Sequence, residues 1–141
     1  MTKFRTSLSE KIVDQDPEGV LRIDELAIPS GWKTQATNAT RVAGSHGVYF
    51  EMGFHLGGQE STTWGQVFKG NTPKSHGTDS REFFDRVQEF LEKTLPNHGY
   101  KRVMGDMFQR MWHDPRAVEV EGELAYLDKL FRQLLELIPR R

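Results

Sequence analysis

The sequence predicts an α+β domain, a small and mostly antiparallel sheet of about three or four strands with two helices from the C-terminal half packed on it. Two observations carry that reading. Over residues 48–56, Val48, Phe50, Met52, Phe54 and Leu56 alternate with Tyr49, Glu51, Gly53 and His55, the period of a strand with one buried face. Two later segments, residues 79–95 and 120–138, repeat apolar residues at helical spacing instead. A chain of 141 residues suits one domain. We therefore read residues 1–141 as a single unit with the element order α-β-β-β-α-β-α.

The first element is a short helix. Ser7 and Glu10 make a capping box, Phe4, Leu8 and Ile12 share one face, and Asp16-Pro17 ends it because the residue before proline avoids the helical region. Residues 20–28 read as a strand with a bulge near Asp24-Glu25, since Leu21 and Ile23 alternate out of step with Leu26 and Ile28. Over residues 32–43, Trp32, Ala36, Ala39 and Ala43 fit a short helix stopped by Gly44, or irregular chain, and the Thr and Asn content speaks against a strong helix. The strand over residues 48–56 turns at Gly57-Gly58 and returns over residues 62–69. With Leu56 set opposite Thr62, Phe54 meets Trp64 and Phe50 meets Phe68 on the buried face. Tyr49 then meets Lys69, Glu51 meets Val67, Gly53 meets Gly65 and His55 meets Thr63 on the other face. A slip of one residue would exchange the two faces.

Residues 70–79 read as a loop. The helix after it starts on Asp79 and Glu82 as a capping-box-like pair, buries Phe83, Phe84, Val87, Phe90 and Leu91, and stops at Pro96. Residues 100–113 are open to two readings. Tyr100, Val103, Met104, Met107, Phe108, Met111 and Trp112 follow helical spacing, but Gly105-Asp106 interrupts it. A strand over residues 107–112 is preferred, with Met107 and Met111 on one face and Phe108 and Trp112 on the other, because the flanking helices need a sheet to cover. The last helix carries Leu124, Leu127, Leu130, Phe131, Leu134 and Ile138 on one face and ends at Pro139.

Composition narrows the function. Nine Phe and three Trp supply bulky core material. The absence of cysteine removes disulfides, cysteine–zinc sites and thiol nucleophiles, and fits a reducing, cytoplasmic setting. No apolar run follows Lys3 and Arg5, so no signal peptide is expected. No stretch reaches the roughly 20 apolar residues of a membrane span, so no membrane partner is expected. A net charge of −1 disfavours general nucleic-acid binding, although Lys101, Arg102, Arg110 and Arg116 form a local basic candidate, as do Arg140 and Arg141.

No cofactor or metal is predicted. The five histidines show no ligand spacing, and HExxH, GxSxG, GxxxxGK[ST] and GxGxxG are all missing. No catalytic residue is assigned. The binding candidates are Tyr49, Glu51, His55 and Lys69 on the polar face of the hairpin, where Gly53 and Gly65 would leave a flat spot. To these we add Trp64, Arg110 and Trp112 as recognition residues, with Arg110 available to stack on a base or a partner ring. The alternative is structural: a solvated or helix-covered face, and Trp side chains in the core. Met104, Met107 and Met111 fit an adaptable docking surface, but core filling is the preferred reading for them.

The element order resembles the core of the PD-(D/E)xK nuclease superfamily, in which a helix, three strands, a helix and a strand follow one another. The resemblance spans most of residues 6–113. It implies an acid on the second strand and an acid-x-Lys on the third. Glu51 matches the first acid and Lys69 the lysine, but position 67 is Val where the second acid belongs. The resemblance thus implies a degenerate site, since two carboxylates normally hold the metal of such hydrolases. The expectation is a non-catalytic module that binds another macromolecule, preferably a protein, with homodimerisation as a further expectation. A divergent nuclease with a scattered site and a nucleic-acid-binding regulator are the alternatives.

Overall fold

The computed structural model describes residues 31–57, 59–70 and 77–138. The helix expected near residues 7–12 and the strand over residues 20–28 lie outside the described residues. Five strands form one sheet: β1 (Thr37–Ser45), β2 (Val48–Gly57), β3 (Glu60–Lys69), β4 (Lys101–Met104) and β5 (Met107–His113). Their spatial order is β1-β2-β3-β5-β4, and every neighbouring pair is antiparallel. Helix α1 (Thr78–Thr94) joins β3 to β4, and α2 (Ala117–Leu135) follows β5. The α+β class holds, with more strands than the sequence suggested.

Two of the additional strand assignments have simple physical origins. Residues 32–43, read as a short helix or irregular chain, are a turn followed by β1. Ala39 and Ala43 are four apart, so they share a face in a strand as well as in a helix, and their spacing does not separate the two. Thr37, Thr40 and Val42 decide it, because β-branched side chains prefer the pleated backbone. The link to β2 is a two-residue turn at His46 and Gly47, both with positive φ (55° and 74°), which is the type I′ geometry matched to strand twist. Farther on, Gly105-Asp106 does interrupt residues 100–113, but as the turn of a hairpin. Gly105 sits at φ 50° there, and residues 101–104 form a strand of their own.

The β2–β3 register differs by one residue from the expected one. Gly57 pairs with Glu60, Leu56 with Ser61, Phe54 with Thr63, Gly53 with Trp64 and Tyr49 with Phe68. The returning strand begins at Glu60 rather than Thr62, so the connection is shorter and the sum of partner numbers changes by one. That exchanges the faces of the whole of β3. Trp64 and Phe68 leave the helix-covered face, and Val67 and Lys69 join it.

Val48, Phe50, Met52, Phe54 and Leu56 of β2 do line the core, as their alternation predicts. Phe83, Val87 and Leu91 of α1 and Val120, Leu124, Leu127, Phe131 and Leu134 of α2 cover them. Phe50 ties the layers together, meeting Phe83 edge-on at 6.4 Å and Phe131 at 5.2 Å between centroids. A buried ring of this kind stabilises by about 1.5–3 kcal/mol. Arg41 of β1 crosses to α2, where its guanidinium pairs with Asp128 and lies 4.6 Å from the centre of the Phe131 ring.

Both helices start differently from expectation. Gly77 is the N-cap of α1, so Asp79 and Glu82 do not form the anticipated box; Ser80 instead donates to the His46 carbonyl. Helix α1 leaves α-geometry at Thr94 and continues as a 3-10 turn through Pro96, closed by Gly99 at φ 83°. Helix α2 begins earlier than read, at Ala117, where Glu119 accepts from the Arg116 backbone N–H at 2.9 Å.

Candidate functional site

The two faces of the sheet carry different polar groups. On the face away from the helices, β2 presents Tyr49, Glu51, Gly53 and His55, and β3 presents Thr62, Trp64, Gln66 and Phe68. Glu51 is fully buried. One of its carboxylate oxygens accepts from Trp64 Nε1 at 3.2 Å and from Gln66 Nε2 at 2.6 Å. The Trp64 indole reaches Glu51 by lying across Gly53: a Cβ built there would stand 2.6 Å from Trp64 Cζ2. The flat spot that Gly53 provides is therefore filled from within the chain. Tyr49, also buried, stacks on Phe68 at 5.8 Å. His55 bonds through Nδ1 to Asn38, and burial pushes its imidazole below the ordinary value.

Of the residues proposed for that face, Tyr49, Glu51, His55 and Trp64 share it. Lys69 does not: it pairs with Val48 on the helix side, where its ammonium lies 5.0 Å from the Phe84 ring centre. Glu51 and Lys69, the two positions that match the nuclease pattern, thus lie on opposite faces.

On the helix side, a buried hydrogen-bonded chain joins β3, β5 and α2. Trp112 Nε1 donates to Thr63 Oγ1 at 3.0 Å, the Thr63 hydroxyl meets the Tyr100 hydroxyl at 2.7 Å, and Tyr100 donates to Glu123. Each hydroxyl has one proton, so a chain that starts at an indole N–H and ends on a carboxylate is fully satisfied in that direction. Arg110 completes the cluster. It stacks on Trp112 at 3.8 Å, donates to the His98 carbonyl at 2.9 Å and lies 3.6 Å from Glu123. Burial and the Glu123 carboxylate push the Tyr100 hydroxyl far above its ordinary value, so it stays protonated and serves as a donor. Arg110 and Trp112 come together as anticipated, but the ring that Arg110 stacks on belongs to its own chain. Sequence reading missed Thr63, Tyr100 and Glu123. The one available signal was Glu123 itself, an acid three residues after Val120 on the stripe that α2 buries.

The exposed part of the sheet lies at β4 and β5. Met104, Met111 and Val103 are 64%, 69% and 49% exposed. Met104 pairs with Met107, and Met111 with Thr62, which places both on the face away from the helices, while Val103 sits at a bulge. Beside them the sheet has a notch of about 570 Å³, lined by Gln66, Lys69, Phe84, Met104, Asp106 and Met107 among others. The basic candidates over residues 101–116 are mostly neutralised. Arg102 pairs with Glu92 and Asp106, Arg110 lies against Glu123, and Arg116 meets Glu119. Among the described residues, no three His, Asp or Glu side chains gather as a metal site, and no helix is long and apolar enough to cross a membrane.

No family model, curated protein or solved structure matches this sequence.

Proposed function

We propose that this domain is a non-catalytic protein-binding module, and that the β4–β5 hairpin is its docking surface. The observation that carries the reading is the exposure of Val103, Met104 and Met111 on one short hairpin. The only other large apolar side chain so exposed among the described residues is Val118, in the first turn of α2. Methionine suits a binding surface because its unbranched, polarisable side chain adapts to its partner. Docking onto the face is favoured over simple edge pairing. The edge strand β4 is four residues long, bulged, and begins Lys101-Arg102, all features that discourage strand addition.

The alternatives draw less support. A nucleic-acid site needs free cations; of the four basic candidates over residues 101–116, three are engaged by carboxylates, and Arg140 and Arg141 lie outside the described residues. A hydrolytic site needs a second acid beside Glu51, and the described groups on it are the donors Trp64 and Gln66. A cytoplasmic location belongs to the same proposal and rests on the absence of cysteine.

Photo-crosslinking tests the reading. A benzophenone side chain at position 111 or 104 should trap a protein from an extract of the source cells, whereas one at the exposed position 121 on α2 should not. Excess unlabelled protein should abolish the product, and the Met104→Asp/Met111→Asp double variant should fail to do so. Equal trapping at all three positions, or competition by the double variant, would overturn the proposal.

A further inference from the structure

The notch beside the β4–β5 turn combines an open strand edge, an apolar wall and one uncompensated cation. Gln66 pairs with Met107, the first residue of β5. Beyond that point, residues 67–69 of β3 continue to pair with β2 and, among the described residues, have no strand on their other side. Alternate residues of this stretch direct their N–H and C=O groups to that side, where the hairpin turns away at Gly105-Asp106. An extended segment entering here can take up main-chain hydrogen bonds and place its side chains alternately on the two faces of the sheet.

The two faces present different chemistry to such a segment. On the helix side stand Lys69 and Phe84, with the ammonium over the ring. Lys69 makes no ion pair with any described residue. The acid of the notch is already occupied: Asp106 accepts from Gln88 and lies 3.7 Å from Arg102. The charge left to be complemented is thus positive. On the other face stands the exposed Met104, beside the buried Met107, and its side chain offers an apolar, adaptable surface.

We infer that the notch binds an extended peptide segment of a partner protein, by addition to residues 67–69 of β3, and that the segment carries a carboxylate side chain directly next to an apolar one. Neighbouring residues of a strand point to opposite faces. One therefore meets Lys69 while the next meets Met104. The inference rests on the protein-binding reading and narrows it to an acidic, extended partner.

The test uses the full chain and two sets of short, capped, fluorescein-labelled peptides, read by fluorescence anisotropy. In one set glutamate stands next to valine or leucine; in the other, glutamine replaces the glutamate. The glutamate set should bind roughly fivefold more tightly, the scale of a half-exposed ion pair. Lys69→Met should erase that difference and Lys69→Arg should keep it; Lys69 is exposed, and circular dichroism checks that both variants fold. Equal binding of the two sets would overturn the acidic partner. No binding of either set at millimolar peptide would overturn the notch as a peptide site. Self-association of the chain that buries the notch and resists competition by peptide would overturn it in favour of a second copy. The crosslinking at position 111, outside the notch, judges the broader reading separately from all of these.

Discussion

The half of the outer sheet face built by β1, β2 and β3 and the half built by β5 and β4 belong to one surface and follow one register, yet they are finished in opposite ways. In the first half the polar groups are buried. Glu51, Tyr49 and Trp64 lie out of solvent, and the indole and the Gln66 amide converge on one carboxylate oxygen. In the second half two apolar side chains are exposed: Met104 and Met111 lie mostly in solvent, while Met107 between them is buried. A buried polar group must find its partners within the fold, and here Glu51 has found them. An exposed thioether gains nothing from water, and on the proposed reading it serves another surface. The comparison teaches that chemical suggestiveness in a sequence and availability in the fold are separate properties. The residues that look reactive are spent on structure, and those that look like core are available.

The comparison breaks most easily at Gly53. Valine there would drive its Cβ to within 2.6 Å of Trp64 Cζ2 and 2.7 Å of the Ala39 carbonyl oxygen. The second contact is backbone and cannot be relieved by a rotamer change. Overpacking typically costs about 1–3 kcal/mol, and a clash with backbone belongs at the upper end of that range or beyond it. Gly53→Val should therefore lower the urea midpoint more than loss of the Glu51 carboxylate does, and should shift the Trp emission as the indole is displaced. A variant as stable as the parent would mean that Trp64 does not lie across Gly53.

A smaller loss is expected at Glu51. Glu51→Ala removes the acceptor that Trp64 and Gln66 share, at a cost of about 2 kcal/mol. Glu51→Gln keeps an oxygen in reach and should cost less. Urea denaturation of the three proteins in parallel checks the ranking. If alanine is tolerated as well as glutamine, the carboxylate is not the anchor of this half of the sheet, and the case for Glu51 as a binding residue reopens.

Much of the fold could be read from the residues. The alternation over β2 named the core face correctly, and the two amphipathic helices were placed to within a few residues. The odd and even residues of β5 fall on the predicted sides. What could not be read depended on sequence-distant partners or on a count of one. The β2–β3 register turns on whether the strand resumes at Glu60 or Thr62, and nothing local distinguishes them. The same slip removed Lys69 from the site and brought Trp64 into it. In β1, alanines four apart were silent between helix and strand. The hairpin turn at His46-Gly47 lacked the Asn-Gly or Asp-Gly pair that usually marks this geometry. Core filling, the preferred reading of the methionines, holds for Met107 only; the exposure of Met104 and Met111 was not legible, because it depends on where the sheet ends, and β4 is only four residues long.

The smallest effect on stability carries the largest consequence for function. Met111 lies on the outer face of β5 opposite Thr62 and is 69% exposed. Surface substitutions away from caps, cores and buried pairs usually fall within about 0.5 kcal/mol. Met111→Asp should therefore leave the urea midpoint of the domain almost unchanged, in contrast to Gly53→Val on the other half of the same face. If the hairpin is a docking surface, the same substitution places a charge where an apolar contact is made, and a desolvated, unpaired carboxylate in an interface costs far more than the lost contact alone. The two measurements, taken together, separate the halves of the sheet. A residue that matters to a partner but not to the fold marks a surface kept for recognition. A Met111→Asp protein that loses stability like a core variant would instead place this strand among the parts of the sheet that hold the domain together.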